Sequence, residues 1–415
     1  MASRTVATYS EMANNNAIQD KGPSTAWELQ ESVIVLEKWL HDREYEGYEP
    51  YDGLSSYLRP LTLGNRFAER VLGQIVLRCP FNIRPLIGVR AAKSASGMGL
   101  LARGYLRMWI LTKDVAYKNK ATSCLDWLNE NQSCGYSGHC WGLNYDHTSR
   151  GGRMPKHMPN VVSTSLIGHA FLDAYEMLGD RKYLDVAIST CTFILKDLPR
   201  EETRNGSCIS YVPFGQNSVH NSNMLAAAML ARTAEFTADT EILQVAKEAI
   251  VYSCSRQLSD GAWYYGEDTK YHWIDNFHTG YNLDSLKCYI ESTNDKTFEA
   301  NLSRGFKYYK DIFIEYNGRP NYYHDRAYPV DIQCAAQAID TLSNFAECDD
   351  SALNLALKVA DWTIKNMQDR SGYFYYRNLR WKKVKISMVR WGQATMFCAL
   401  THLLSKSISA GTKSQ

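Results

Sequence analysis

Six times along this chain, a loop of aromatic and polar residues feeds into a stretch built from small and apolar ones. The fourth copy is the clearest, running from Trp273 through Asp275, Asn276 and His278 to Glu291. Asp275 or Asn276 can cap a helix there, because a short side-chain oxygen accepts from the first free backbone N–H groups. Leu283, Leu286 and Ile290 follow at helical spacing, so the stretch reads as a helix with a buried face. The other copies begin near Ser96, Asn160, His220, Pro329 and Ser387. More amphipathic helices are expected between them, over 115–130, 182–198, 241–257, 298–314 and 352–367.

A helix with Gly, Ala and Ser on all sides has no polar face to give to water, so neighbours must enclose it. The amphipathic segments supply that enclosure. The repeat is roughly 55–65 residues, longer than the units of about 20–50 in common solenoids. A ring of six inner and six outer helices meets both demands. Five outer helices follow inner ones. The sixth is expected from 26–41, where Leu29, Val33, Leu36 and Leu40 share a face, closing the ring beside the last inner helix. Residues 62–78 also read as helical, stopped by Cys79-Pro80, with no assigned place in the ring. The expected class is all-α: an (α/α)6 toroid, or six-hairpin barrel, with short aromatic β-hairpin loops at one mouth. Residues 24–407 form its single domain, 1–23 a disordered arm and 408–415 a tail.

Composition excludes several roles. No apolar run reaches the about 18 residues of a transmembrane helix, so no membrane insertion is expected. A net charge of +2 implies no strongly basic face for nucleic acid. Residues 1–23 lack the apolar core of a secretory signal. Eleven cysteines, several inside apolar helix patterns, read as small buried hydrophobes of a reduced, cytoplasmic protein. No phosphate-binding Gly-x-x-x-x-Gly-Lys loop is present. Cys134, His139 and Cys140 lack the paired spacing of a zinc site. Neither a metal nor another cofactor is expected.

Six helical hairpins with aromatic loops entering the inner helices resemble the (α/α)6 toroids of six-hairpin glycosidases, polysaccharide lyases and the helical domain of glucuronyl C5-epimerases. The resemblance covers nearly all of the chain after about Trp27. Four phrases, over 48–54, 82–88, 140–146 and 328–338, resemble bacterial proteins of surface-polysaccharide biosynthesis clusters. That resemblance implies a sugar-polymer context and carries no catalytic residue. The Asp-x-Asp-Asp of terpene cyclases and the Cys-His-Gly of lanthionine cyclases are missing.

In such a ring all six entry loops meet at one mouth. Flat aromatic faces beside carboxylates and amides suit a pyranose, which offers an apolar face and dense hydroxyls. Trp141, Asp146, Trp263, Tyr265, Trp273, Tyr323, Arg326 and Arg390 are the expected saccharide-binding residues. Asp275 and Asp331, at the fourth and fifth inner-helix starts, are the candidate acid–base pair, each with helix capping as its alternative role. His278 and His220 are candidates for moving a proton alpha to a uronate carboxylate. Asp275, Asp331 and His278 are expected to share a pocket walled by Trp263, Tyr265 and Trp141. The expected function is a carbohydrate-active protein acting on a uronate-containing poly- or oligosaccharide as hydrolase, lyase or C5-epimerase. The alternative is a non-catalytic glycan-binding scaffold of polysaccharide assembly.

Overall fold

Four inner helices end in the same two-residue device. Lys113, Gly179, Ala238 and Asn294 take left-handed φ values of 60°, 75°, 53° and 55°. The first three return their N–H to the carbonyl four residues back, at 2.8 Å each, which closes the helix. An aspartate follows each one. Asp114, Asp180 and Asp239 accept from the first N–H groups of the next helix, and Asp295 does so for a short 3-10 turn. A left-handed stop followed by an N-cap reverses the chain at once, so each outer helix lies back along its inner partner.

The computed structural model describes residues 24–413 apart from 150 and 216–217; the expected arm, 1–23, lies outside the described residues. The helices are α1 (Ser24–His41), α2 (Arg66–Arg78), α3 (Ala95–Thr112), α4 (Val115–Glu130), α5 (Val161–Leu178), α6 (Arg181–Asp197) and α7 (His220–Thr237). They continue with α8 (Thr240–Cys254), α9 (Asn276–Thr293), α10 (Glu299–Phe313), α11 (Ile332–Asn344), α12 (Asp350–Met367) and α13 (Thr395–Lys413). Helices α3, α5, α7, α9, α11 and α13 form the inner ring, each touching the next and α13 touching α3. The outer ring is α4, α6, α8, α10, α12 and α1. The protein is an (α/α)6 toroid.

Helix α1 closes the ring against α12 and α13, as its apolar stripe implies. Ser32 Oγ donates to Gln368 Oε1 at 2.8 Å across that seam. Two inner starts differ slightly from the pattern. Val330–Asp331 pair as strand β5 with Arg377–Asn378, β6, so α11 begins only at Ile332. The last inner helix is entered through a π-helical turn, Val389–Ala394. Its far end runs to Lys413, past the expected boundary at 407.

Polar ties cross the inner ring. Arg103 of α3 and Arg232 of α7 both grip Asp173 of α5 at 2.7 Å. Burial pushes the Asp173 carboxyl up, but the two guanidinium groups outweigh it and hold it far below the carboxylate range. Asp284 of α9 accepts from Gln337, Thr341 and Asn344 of α11. Burial, with Asp340 nearby, raises its pKa to about 7.

The hairpins expected at the mouth are present. Strand β1 (His147–Ser149) pairs with β2 (Gly152–Met154), β3 (Arg200–Thr203) with β4 (Gly206–Ile209), and β6 with β7 (Lys383–Val384). Helix α2 is outside the ring. Asn65 caps it, and it lies on the 3-10 turn Asp52–Ser55 and on β1, with Val76 and Leu77 buried beneath.

Candidate functional site

First turns of all six inner helices reach one cavity of about 1070 Å³: Ser96, Asn160, Asn221, Asp275, Gln333 and Arg390 all line it. Six helix N-termini therefore converge on a single space. Asn160, Asp275 and Asp331 cap first-turn N–H groups of three of them, so what the cavity receives is the positive ends of the helix dipoles, which favour anions there.

Asp275 is the N-cap of α9 and is almost fully buried. Its Oδ1 accepts from the His278 backbone N–H at 3.0 Å, and its Oδ2 from Trp273 Nε1 at 2.9 Å. The same Oδ2 lies 2.7 Å from His278 Nδ1. A carboxylate can only accept, so Nδ1 carries the proton. That leaves Nε2 of His278, which has no hydrogen-bond partner among the described residues, at a cavity wall. The i, i+3 spacing makes this dyad: the cap residue faces the side chain one turn along.

A ribbon of rings runs round the cavity from one histidine to another. His278 touches Phe277 at 3.9 Å and Tyr265 at 4.5 Å between centroids, and Tyr265 stacks on Trp273 at 4.5 Å. Phe277 meets Trp391 at 5.5 Å, Trp391 meets Tyr51 at 5.8 Å, and Tyr51 meets His147 at 5.0 Å. Burial pushes His147 down to about 4, keeping it neutral. Burial also raises the Tyr51 phenol, which keeps its proton.

Arg390 is spent inside the protein. It sits in the π-helical turn and pairs with Glu49 at 3.0 Å. Burial lifts the Glu49 carboxyl even against that partner. The phrase over 48–54 thus has a structural job: Glu49 holds Arg390, Tyr51 lines the cavity, and Asp52 binds the buried Arg84 at 2.7 Å.

The expected site residues divide evenly. Asp275, His278, Tyr265, Trp273, Tyr323 and Arg390 line the cavity. The other six do not, which corrects the expected shared pocket. Trp141 and Trp263 are buried wedges whose indole N–H groups cap outer helices, donating to the carbonyls of Leu128 and Ser253. Asp331 is a fully buried cap. It accepts from Gln333 N–H at 2.9 Å and Trp391 Nε1 at 2.7 Å, and pairs with Arg377 at 2.5 Å. His220 is buried, with Nε2 2.8 Å from Glu267 Oε1. Asp146 ties its loop to Arg59, and Arg326 is exposed and paired with its neighbour Asp325.

Other lining residues carried weaker signals. His147 and Tyr211 stand in mouth loops, but nothing in their spacing ranks them. Helix α2 is the larger surprise. It presents Arg70, Gln74 and Arg78 beside Phe67, Val71 and Ile75 to the cavity, two adjacent stripes at i, i+4, i+8. The sequence signal was the strong amphipathicity of 66–78 behind Asn65.

No model of a known protein family matches the chain, and no curated protein matches it in sequence. Solved structures match in fold. Cellobiose 2-epimerase from Bacillus thermoamylovorans B4167 superposes with a TM-score of 0.58 at 12% identity, covering 76% of this chain and 90% of that one. A GH76 alpha-mannanase from Bacteroides thetaiotaomicron gives 0.60 at 14% identity, over 78% and 88% of the two chains. A D-mannose isomerase gives 0.56 at 12%, over 75% and 87%. At these identities the likeness is one of fold, and the fold is the six-hairpin toroid that saccharide epimerases, isomerases and hydrolases share.

Proposed function

We propose that this protein is a carbohydrate-active enzyme whose cavity binds a saccharide and moves a proton at one of its carbons, with His278 as the base. One observation carries the reading. Among the described residues lining the cavity, Asp275 is the one acid, and both of its oxygens are committed to Trp273 and α9. The usual glycosidic cleavage takes two carboxyls, one to protonate the leaving oxygen and one to attack or to activate water. A histidine oriented by a carboxylate, with Nε2 free, instead suits removal of a proton made acidic by an adjacent carboxylate or carbonyl. By their names, two of the three fold relatives described above epimerise or isomerise a sugar.

The substrate class is a uronate-containing oligo- or polysaccharide. Support comes from Arg70 and Arg78, which line the cavity without a carboxylate partner among the described residues, and from the six helix N-termini. His278 Nε2 takes the proton alpha to the uronate carboxylate. The C–H electrons pass into the carboxylate, whose added charge the cations offset. Protonation of the same carbon from the other face gives the C5 epimer. Tyr51, protonated and seated against the neutral His147, is the candidate donor. If the electrons instead form the C4–C5 double bond, the C4–O bond breaks, the leaving oxygen takes up a proton to become the hydroxyl of the released chain, and an unsaturated sugar remains. Eleven free thiols support a cytoplasmic setting, and the polymer context favours surface-polysaccharide biosynthesis.

The test is incubation with uronic-acid oligosaccharides in D2O, read by NMR and mass spectrometry. Deuterium at C5 of recovered sugar, or an unsaturated product, supports proton transfer. Hydrolysis without exchange overturns it. Binding with neither favours the glycan scaffold.

A further inference from the structure

The net charge of +2 conceals a strongly basic face. Residues 56–93 and 377–390 together carry thirteen Lys or Arg and one acid, Glu69, which is buried against Arg153. Asp146, Asp52, Asp331 and Glu49 neutralise Arg59, Arg84, Arg377 and Arg390. Arg66, Arg70, Arg78, Arg90, Arg380 and Lys382 are exposed and have no carboxylate partner among the described residues. Both segments sit at the mouth, and they meet where Lys382 Nζ stands 4.2 Å over the Phe81 ring.

Among the described residues, the same face holds most of the large apolar side chains left in water. Tyr57, Leu61, Leu63, Phe67, Phe81 and Leu86 are 64–91% exposed, and Trp381, beside the β6–β7 turn, is 87% exposed. Exposed apolar side chains gathered on one face among unpaired cations mark an interaction surface. Three occupants suit it unequally. A second copy would bring two strongly positive faces together. A single-stranded nucleic acid would stack on aromatic rings, yet Leu61, Leu63 and Leu86 are aliphatic. An anionic bilayer accepts both halves, with cations at the headgroups and Leu, Phe and Trp at the acyl boundary.

We propose that the mouth face docks on the surface of an anionic membrane, through α2 with its flanking turns and the β6–β7 hairpin, so that the cavity opens toward the bilayer. No helix of the described residues is long and apolar enough to cross one; the contact is peripheral. Combined with the proposed function, on which this clause alone rests, docking means that the saccharide is presented from a membrane, as a lipid-linked or surface-held chain.

Vesicle co-sedimentation of the full chain tests docking without any saccharide. Vesicles of phosphatidylcholine with phosphatidylglycerol should capture the protein, less so as salt is raised, and phosphatidylcholine alone should capture little. Arg66→Gln, Arg380→Gln and Lys382→Gln should each weaken capture about fivefold. Leu63→Ser with Trp381→Ser should weaken it more than tenfold. Circular dichroism should be unchanged, since these side chains are exposed. Equal capture by both vesicle types, or equal capture of the variants, overturns the proposal. So does a variant-sensitive dimer, or variant-sensitive binding of an RNA oligonucleotide, in place of lipid binding.

Discussion

Asp275 Oδ2 lies 2.7 Å from Nδ1 of His278, one turn along the helix that Asp275 itself caps. The carboxylate therefore has two separable jobs, ending a helix and orienting an imidazole. Asn caps as well as Asp but carries no charge to steady a protonated ring. Asp275→Asn keeps the cap but turns an amide NH2 toward the Trp273 indole N–H, which should cost about 1–3 kcal/mol of stability, while activity per folded molecule should fall on the order of 10²–10⁴-fold. His278→Gln should abolish C5 exchange altogether. An Asp275→Asn protein with full activity and a sharply lower melting temperature would reduce Asp275 to a cap.

Exchange and product formation should come apart at Tyr51. If His278 removes the proton and Tyr51 returns one from the other face, Tyr51→Phe keeps deuterium entry into recovered substrate. Epimer formation should drop roughly 10²-fold or more. Equal loss of both would place Tyr51 in binding instead.

Asp331 is expected to behave differently from Asp275. Its fully buried oxygens serve Gln333, Trp391 and the half-buried Arg377. Asp331→Asn leaves the Arg377 charge poorly compensated and should cost about 3–5 kcal/mol of stability, seen as a lower denaturant midpoint. Activity per folded molecule should hold.

Acid should loosen the fold before the carboxylates titrate. Burial lowers His147 and His402 to about 4 and His169 to about 3, while an unfolded histidine titrates near 6.5. The unfolded chain therefore binds protons first as pH falls. Each of the three loses about 1.4 kcal/mol per pH unit below about 6.5, down to its folded pKa, while the buried Asp284 carboxyl, raised to about 7, returns about as much as one of them over the same range. Urea midpoints at pH 7 and pH 5 should differ accordingly. His169→Gln should remove about half of the difference.

The ring was legible because burial on all sides leaves a compositional mark: Ala, Gly and Ser where an amphipathic helix would put charges. An Asp stands directly after the left-handed stop of four of the six inner helices, at 114, 180, 239 and 295, and is a further trace of the hairpin turns in the sequence. The site was half legible for a definite reason. A tryptophan in a mouth loop looks the same whether its ring meets a ligand or a core. Only the carbonyls of Leu128 and Ser253, which take the indole protons of Trp141 and Trp263, decide the matter, and those lie on other helices. Asp275 and Asp331 pose the same difficulty, since both cap inner helices. What separates them is a histidine three residues on in one case and an arginine 46 residues on in the other.

The seam between α1 and α12–α13 has a temporal meaning. Ser32 and Gln368 are 336 positions apart, and Glu49 and Arg390 are 341 apart. Contacts at such separation form late, because the intervening chain must surrender its freedom first. A nascent chain made in order has the Tyr51 segment early and the Trp391 turn almost last. The ribbon of rings between His278 and His147 stays broken until then. An unfinished or clipped molecule would thus be chemically silent, and the toroid reports its own completion by acquiring a cavity.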